Sequence, residues 1–313
     1  MKFLVPSALI PLLALVTIET RAGAQSPVPV TKCGQVLNQP GKYVFTGALD
    51  KQECPGFSCS SAGGAITISA SNIHLDTAGH GVNAICAAVV IVDGVRDVRI
   101  DGGGWLVGGS GLIIGKDSRV VVSKLSDIHG DPDLGSTETG IEIRGANQVT
   151  VSDNNIEGVF GIHGQVDNGV FANNKISGLN IVNNGIVLTG KNNVIKNNTV
   201  TLSGSSAENS AISVTDQNRI QGNTIHQAAV GISLAGNSNT VVRNRVDGAS
   251  PPSVPVASVY GIYVGQGAAG NKIECNTSTG NEFDLYQKNG PPCLDIWRKN
   301  HYQTSGGAVA CIH

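Results

Sequence analysis

The chain has 313 residues, of which 40% are hydrophobic, 4% aromatic and 14% charged, with a formal net charge of −2. That balance excludes a nucleic-acid binder, which needs a basic stripe to displace counterions and rings on which bases stack. Forty-one glycines and a single methionine, Met1, suit tightly turned strands better than long helices.

Lys2, the apolar run Phe3 to Ile18 and then Ala22-Gly23-Ala24 form the charged, apolar and cleavable layout of an export signal over residues 1–24. The run is shorter than the ~20 residues that span a bilayer, and Glu19 and Arg21 close it. No later stretch is long and apolar enough to cross a membrane, so a secreted or periplasmic mature chain is expected. Residues 25–63 read as an N-terminal cap with a strand at Tyr43-Val44-Phe45. The seven cysteines agree with an oxidising compartment and cluster at the two ends, Cys33, Cys54, Cys59 and Cys86 early, Cys275, Cys293 and Cys311 late. Sequence does not fix their connectivity; the expected pairs are Cys33–Cys54, Cys59–Cys86 and Cys293–Cys311. Cys275 is left over, either as a buried thiol or as an intermolecular link. No CxxC pair suggests a zinc site.

From residue 64 to 279 two signatures alternate. One is a short apolar alternation opened by Gly or Ala, as in Gly140-Ile141-Glu142-Ile143, Gly161-Ile162-His163, Gly185-Ile186-Val187-Leu188 and Gly261-Ile262-Tyr263-Val264. The other is an Asn-bearing strand and turn, as in Val149-Thr150-Val151-Ser152-Asp153-Asn154 and Asn193-Val194-Ile195-Lys196-Asn197-Asn198. Measured between Val151, Phe171, Ile195, Ile220, Val241 and Ile273, the periods are 20, 24, 25, 21 and 32 residues. Alternation at period two turns every second side chain inward, so successive coils stack into one apolar column that no coil buries alone. Asn tolerates the left-handed backbone of a sharp turn, and its amide can bond to the Asn one coil away. The sequons at Asn197 and Asn276 fall within this turn repeat and read as by-products of it. The result is an all-β, single-stranded right-handed parallel β-helix of about nine coils and three parallel sheets. Gly290-Pro291-Pro292, Trp297 and a cysteine pair break the repeat over 280–313, the C-terminal cap.

These repeats, together with Cys33-Gly34, Tyr43-Val44 and the run Asn72-Ile73-His74-Leu75-Asp76-Thr77-Ala78-Gly79-His80, resemble secreted right-handed parallel β-helix proteins of the pectate-lyase-like superfamily. They also resemble the periplasmic β-helix proteins that assist nitrous-oxide reductase maturation. The resemblance covers the mature chain and implies capped ends, while saying little about a reaction.

Two coils exceed the basal length. The interval from Val122 to Val151 is 29 residues and carries Asp127, His129, Asp131, Asp133 and Glu138; the interval from Val241 to Ile273 is 32 and carries the Pro- and Val-rich segment 250–259. The first runs into Gly140 to Arg144, where Ile141 and Ile143 should face inward and Glu142 and Arg144 outward. His163 should then lie one rung, ~4.8 Å, from Glu142, with Gln165 beside Arg144. Elimination or epimerisation at a uronic acid needs a cation or metal on the carboxylate, a base and an acid. Glu142, Arg144, His163 and His129 are therefore the candidate catalytic residues, and Glu138, Gln165 and Tyr263 candidate substrate contacts. Asp131 and Asp133 are a candidate Ca²⁺ pair, Ca²⁺ being the one cofactor suggested. Hydrolysis would instead draw a carboxylate pair from Asp131, Asp133, Glu138 and Glu142. Asp131-Pro132-Asp133-Leu134 lacks the histidine of the Asp-Pro-His-Asp motif of mannuronan epimerases, so that activity is not expected. It is equally an ordinary turn, and Glu142, Arg144 and His163 could be a plain cross-strand group. Two readings stay open: a lyase or glycoside hydrolase acting on an acidic polysaccharide, and a non-catalytic β-helix that binds glycan or protein or acts as an envelope scaffold. The low aromatic content favours the second, since sugar grooves use ring faces, and only Tyr260 and Tyr263 offer them near the repeats.

Overall fold

The computed structural model describes residues 26–50, 64–130, 139–178, 184–202, 209–248 and 259–312. The signal segment, Cys54, Cys59, Asp131, Asp133 and Glu138 lie outside them. The chain winds as a right-handed parallel β-helix whose three sheets are visited in a fixed order in each coil. Val149–Ser152 belongs to sheet A, Asn155–Gly158 to sheet C and Phe160–Asp167 to sheet B, after which the chain returns to sheet A at Val170–Ala172. Among the described residues, sheets A and B hold 12 strands each and sheet C holds 9. The ladders run further than the repeat signature suggests. Val28–Val30 already pairs with Gly41–Phe45, and Ser305–Gly307 still pairs with Phe283–Gln287.

Period two decides the inside. Ile141, Ile162, Ile186, Ile212, Ile232, Ile262 and Leu285 sit in register on successive strands of sheet B and are all fully buried. Each such side chain is worth about 1.5–3 kcal/mol when removed from water. The small residue that opens each sheet B strand is required by close approach. A Cβ on Gly140 would lie 2.5 Å from Ile156 Cγ2 and 2.7 Å from the Gly161 carbonyl oxygen of the next coil.

The turns divide two tasks that the sequence assigned to Asn alone. In the A-to-C turn the left-handed residue is Asp153, Asn173, Asn197, Gly222, Arg243, Cys275 or Lys299. The residue that follows is the buried Asn of a ladder running through Asn154, Asn174, Asn198, Asn223, Asn244 and Asn276 and ending on the half-buried Asn300. A second ladder in the B-to-A turn joins Asn193, Asn218, Asn239 and Asn271, and ends on Asp295. Buried at 1% exposure, Asn276 is unavailable as a glycan acceptor.

The last coil is closed by polar contacts around one large ring. Trp297 caps the core at 3% exposure and its indole N–H donates to Gln287 Oε1 at 3.0 Å, while Gln287 Nε2 donates to Asp295 Oδ2 at 2.8 Å. Cys293–Cys311 forms as expected, with Cα atoms 5.2 Å apart. Cys33 and Cys86 are disulfide-bonded as well. Cys275 carries an exposed thiol at a left-handed turn, which overturns the buried alternative. Among the described residues no helix is long and apolar enough to cross a membrane.

Candidate functional site

Length variation is concentrated at one corner. From the strand Val149–Ser152 onward the A-to-C turns keep two residues, whereas the C-to-B connections range from the single residue Val159 to the segment 248–259. The B-to-A turns run from the single residue Gln148 to the eight residues 288–295, so the widest variation borders one edge of the outer face of sheet B.

On that face the expected register holds. Glu142 pairs with His163 and Arg144 with Gln165, while Ile141 and Ile143 point inward. The column continues through Val187, Ser213, Ser233 and Tyr263 to Tyr286. Arg144 donates from Nε to Glu142 Oε1 at 2.7 Å and from Nη2 to Glu142 Oε2 at 3.2 Å. The bond to Glu142 raises the Arg144 pKa above its ordinary value against a smaller opposing effect of burial, and Asp93 adds to the rise. His163 is exposed, with its ring centroid 4.9 Å from that of Phe160. Towards the N-terminus the face opens into a cleft of ≈ 560 Å³ lined by Val90, Ile113, Asp93, Lys116 and Arg144. Two carboxylates, Glu142 and Asp93, an imidazole and two cations next to an open cleft can bind a polar ligand and move a proton.

His129 does not join this group. It lies on sheet C, where its Nδ1 stands 3.5 Å from Glu157 Oε2, and Ser177 Oγ donates to Glu157 Oε1 at 3.0 Å. Asp127, two residues before His129, has its carboxyl pKa raised, mainly by burial and further by Glu157, against a lowering by His129. Asp127 Oδ1 and Asn155 Oδ1, on adjacent rungs, are buried without a hydrogen-bond partner. Glu157 was not singled out from sequence, and Asp127 was noted only as part of the long interval, with no role. The signal was present as a third repeat, Ile128-His129-Gly130, Ile156-Glu157-Gly158 and Ile176-Ser177-Gly178, which aligns His129 with Glu157. His74 on sheet A belongs to an ion network, with Nε2 2.8 Å from Asp101 Oδ1 and with Arg99 and Lys42 nearby on Asp101 and Asp76. Among the described residues no group of three or more His, Cys, Asp or Glu side chains converges to hold a metal ion.

The comparisons with known proteins bear on fold and family. DFA-IIIase from Arthrobacter chlorophenolicus A6 in complex with GF2 is similar at a TM-score of 0.55 and 13% identity, over 87% of this chain and 85% of that one. Its C387A mutant in complex with DFA-III gives 0.52 and 15%, over 88% and 72%. At such identities the likeness is one of fold. No curated protein matches. The family model described as "Periplasmic copper-binding protein (NosD)" matches residues 97–309. Since that match spans more than half of the chain and runs through the Asn-ladder coils from sheet A's Val98–Asp101 to the closing cap, the chain belongs to the NosD family of β-helix proteins.

Proposed function

We propose that the mature protein works outside the cytoplasm as a carbohydrate-active β-helix, a lyase or glycoside hydrolase that takes an acidic polysaccharide along the outer face of sheet B. The observation that carries this reading is the in-register group Glu142, Arg144, His163 and Gln165 beside the cleft that holds Lys116. Arg144 and Lys116 supply the positive field for a sugar carboxylate, His163 and Glu142 are the proton-transfer groups, and Gln165 and Tyr263 contact the chain. Copper, named in the family description, is not part of the reading. Copper sites favour thiolate, thioether and imidazole ligands in convergent sets. The only methionine is Met1, and the described histidines are each matched with a single carboxylate or stand alone. That donor set does not fit the metal.

One observation favours the non-catalytic alternative, a glycan-binding or scaffold protein: the Arg144 guanidinium is already held by both oxygens of Glu142. Incubation of the mature protein with alginate, pectate, hyaluronan and neutral glycans, with and without Ca²⁺, separates the two. Ultraviolet absorbance from an unsaturated product identifies elimination, and new reducing ends without it identify hydrolysis. Binding to the same glycans with neither signal assigns the protein to the non-catalytic class.

A further inference from the structure

The outer face of sheet B carries a second chemical feature, at the opposite end from Glu142. Tyr260 and Tyr263 on one strand pair in register with Phe283 and Tyr286 on the next, and all four rings are half-buried on the outside of the sheet. Ring centroids are 5.9 Å apart for Tyr260 and Phe283 and 5.6 Å for Tyr263 and Tyr286, at interplanar angles of 20° and 19°. Tyr260 and Tyr263 are tilted neighbours at 5.0 Å. On the next strand, Ser305–Gly307, the residue opposite Tyr286 is Gly306, which has no side chain. A Cβ on Gly306 would lie 2.4 Å from Phe283 Cδ1 and 2.9 Å from Tyr286 Cδ2. The preceding rung offers only Val230 and Ser233. This is a cluster of four rings in a chain with 4% aromatic residues, gathered on the same outer face as Glu142 and His163.

We infer that these four rings form a stacking subsite for the sugar rings of a bound glycan, at the far end of a groove that begins at Glu142 and His163. The inference rests on the reading that the outer face of sheet B takes a glycan. Aromatic faces match the apolar C–H face of a pyranose, and tyrosine leaves its hydroxyl for the sugar's polar edge. Lys288, exposed and two residues beyond Tyr286, follows the end of the same strand, so a cation lies close in sequence to the rings at this end too. Five rungs separate Glu142 from Tyr263, through His163, Val187, Ser213 and Ser233. At ~4.8 Å per rung the span is about 24 Å, the reach of a short oligosaccharide and beyond any disaccharide. Val187, Ser213 and Ser233 keep the floor between the two ends low. The groove therefore selects for chain length.

The test is affinity for oligogalacturonates and oligomannuronates of increasing length, measured by calorimetry on the intact protein, Tyr286→Leu, Phe283→Leu and Tyr286→Phe. Long oligomers should bind the wild type more tightly than dimers do. Each leucine variant should weaken the long oligomers by roughly three- to tenfold while leaving dimers unchanged, the scale of an aromatic contact. Tyr286→Phe should keep the affinity, because the ring face carries it. Melting curves verify that the leucine variants keep the cap closed; if one does not, Tyr263→Leu, one rung further in, takes its place. Equal affinity for dimers and long oligomers, or leucine variants indistinguishable from wild type, overturns the subsite. Length-dependent binding without turnover supports the subsite and refutes the catalytic reading, whereas turnover without length dependence does the reverse. Absence of any binding refutes both.

Discussion

Replacing Asn198 by Ala removes one rung of a buried ladder, and the structure allows its cost to be worked out bond by bond. The Asn198 Nδ2 group donates to the Phe171 carbonyl at 2.9 Å and to Asn223 Oδ1 at 3.0 Å, and its Oδ1 accepts from the Asn174 backbone N–H at 2.9 Å and from Asn174 Nδ2 at 3.0 Å. Two of the partners keep a second bond. Asn223 Oδ1 still accepts from the Asn198 backbone N–H, and Asn174 Nδ2 still donates to the Val151 carbonyl. The Asn174 N–H loses the side-chain oxygen that satisfied it, a loss worth about 1–3 kcal/mol for a buried donor. With about 0.5–1.5 kcal/mol for each further bond lost, partly offset by relaxation, the expected destabilisation is about 3–5 kcal/mol. Asn197 is the control, since it is exposed, lies at φ 54° and precedes the ladder residue. Asn197→Ala pays only for a left-handed alanine, about 1 kcal/mol. Urea unfolding followed by far-ultraviolet circular dichroism measures both, with a common m-value as the condition for comparing them. If Asn198→Ala costs no more than Asn197→Ala, the ladder is not a source of stability and the account of the turns is wrong.

Asp127→Asn should raise the melting temperature at neutral pH. Burial lifts the folded-state pKa of this carboxyl, so between its ordinary and its raised value the folded chain holds a proton that the unfolded chain has lost. Stability therefore falls as pH rises through that window, and the gain from Asn should shrink below pH ~4, where both states are protonated; an equal gain at both pH values would show that charge is not the cause. If the protein turns over a glycan, Glu142→Gln and His163→Gln should each lower kcat by about 10²–10⁴-fold with little change in melting temperature, because both side chains lie outside the core. A tenfold or smaller loss in both would remove them from proton transfer. Cys293→Ser opens a loop with sequence separation 18 and should cost about 3 kcal/mol, read as a lower urea midpoint; an unchanged midpoint would mean that the Trp297, Gln287 and Asp295 contacts close the cap unaided.

Fold and site differed in how much of them could be read from sequence, and the reason is physical. Inward positions repeat because every coil must bury the same column, so Ile141, Ile162 and Ile186 announce the register. Once register is known, Glu142 opposite His163 follows. The Asn ladders repeat for the same reason, being buried, whereas outward positions carry no such constraint. His129 was grouped with Glu142 by nearness in sequence, but the chain turns from sheet C to sheet B between them, and its real neighbour is Glu157, 28 residues on. The aromatic cluster was half visible for the same reason. Tyr260 and Tyr263 sit in a recognisable repeat, whereas Phe283 and Tyr286 fall in the segment 280–313 read as the cap, where the signature fades.

The same separation of inside from outside explains how a chain can belong to a family described by copper binding and yet offer copper no convergent donor set among its described residues. The positions that every coil of the matched span shares are the buried Ile and Leu columns and the two Asn ladders. Those positions are fully buried and bonded to their counterparts one coil away, so they have no free group to give a ligand. Ligand chemistry resides in outward columns such as Glu142, His163, Val187, Ser213, Ser233 and Tyr263, where successive residues share no common type. Exchange at these positions leaves the core column intact and costs little stability, so the outer face of sheet B can change its ligand while the coils remain recognisable. Function in this chain has to be argued from that face, residue by residue, and there Glu142, Arg144 and His163 stand in register without a third metal-ligating side chain converging on them among the described residues.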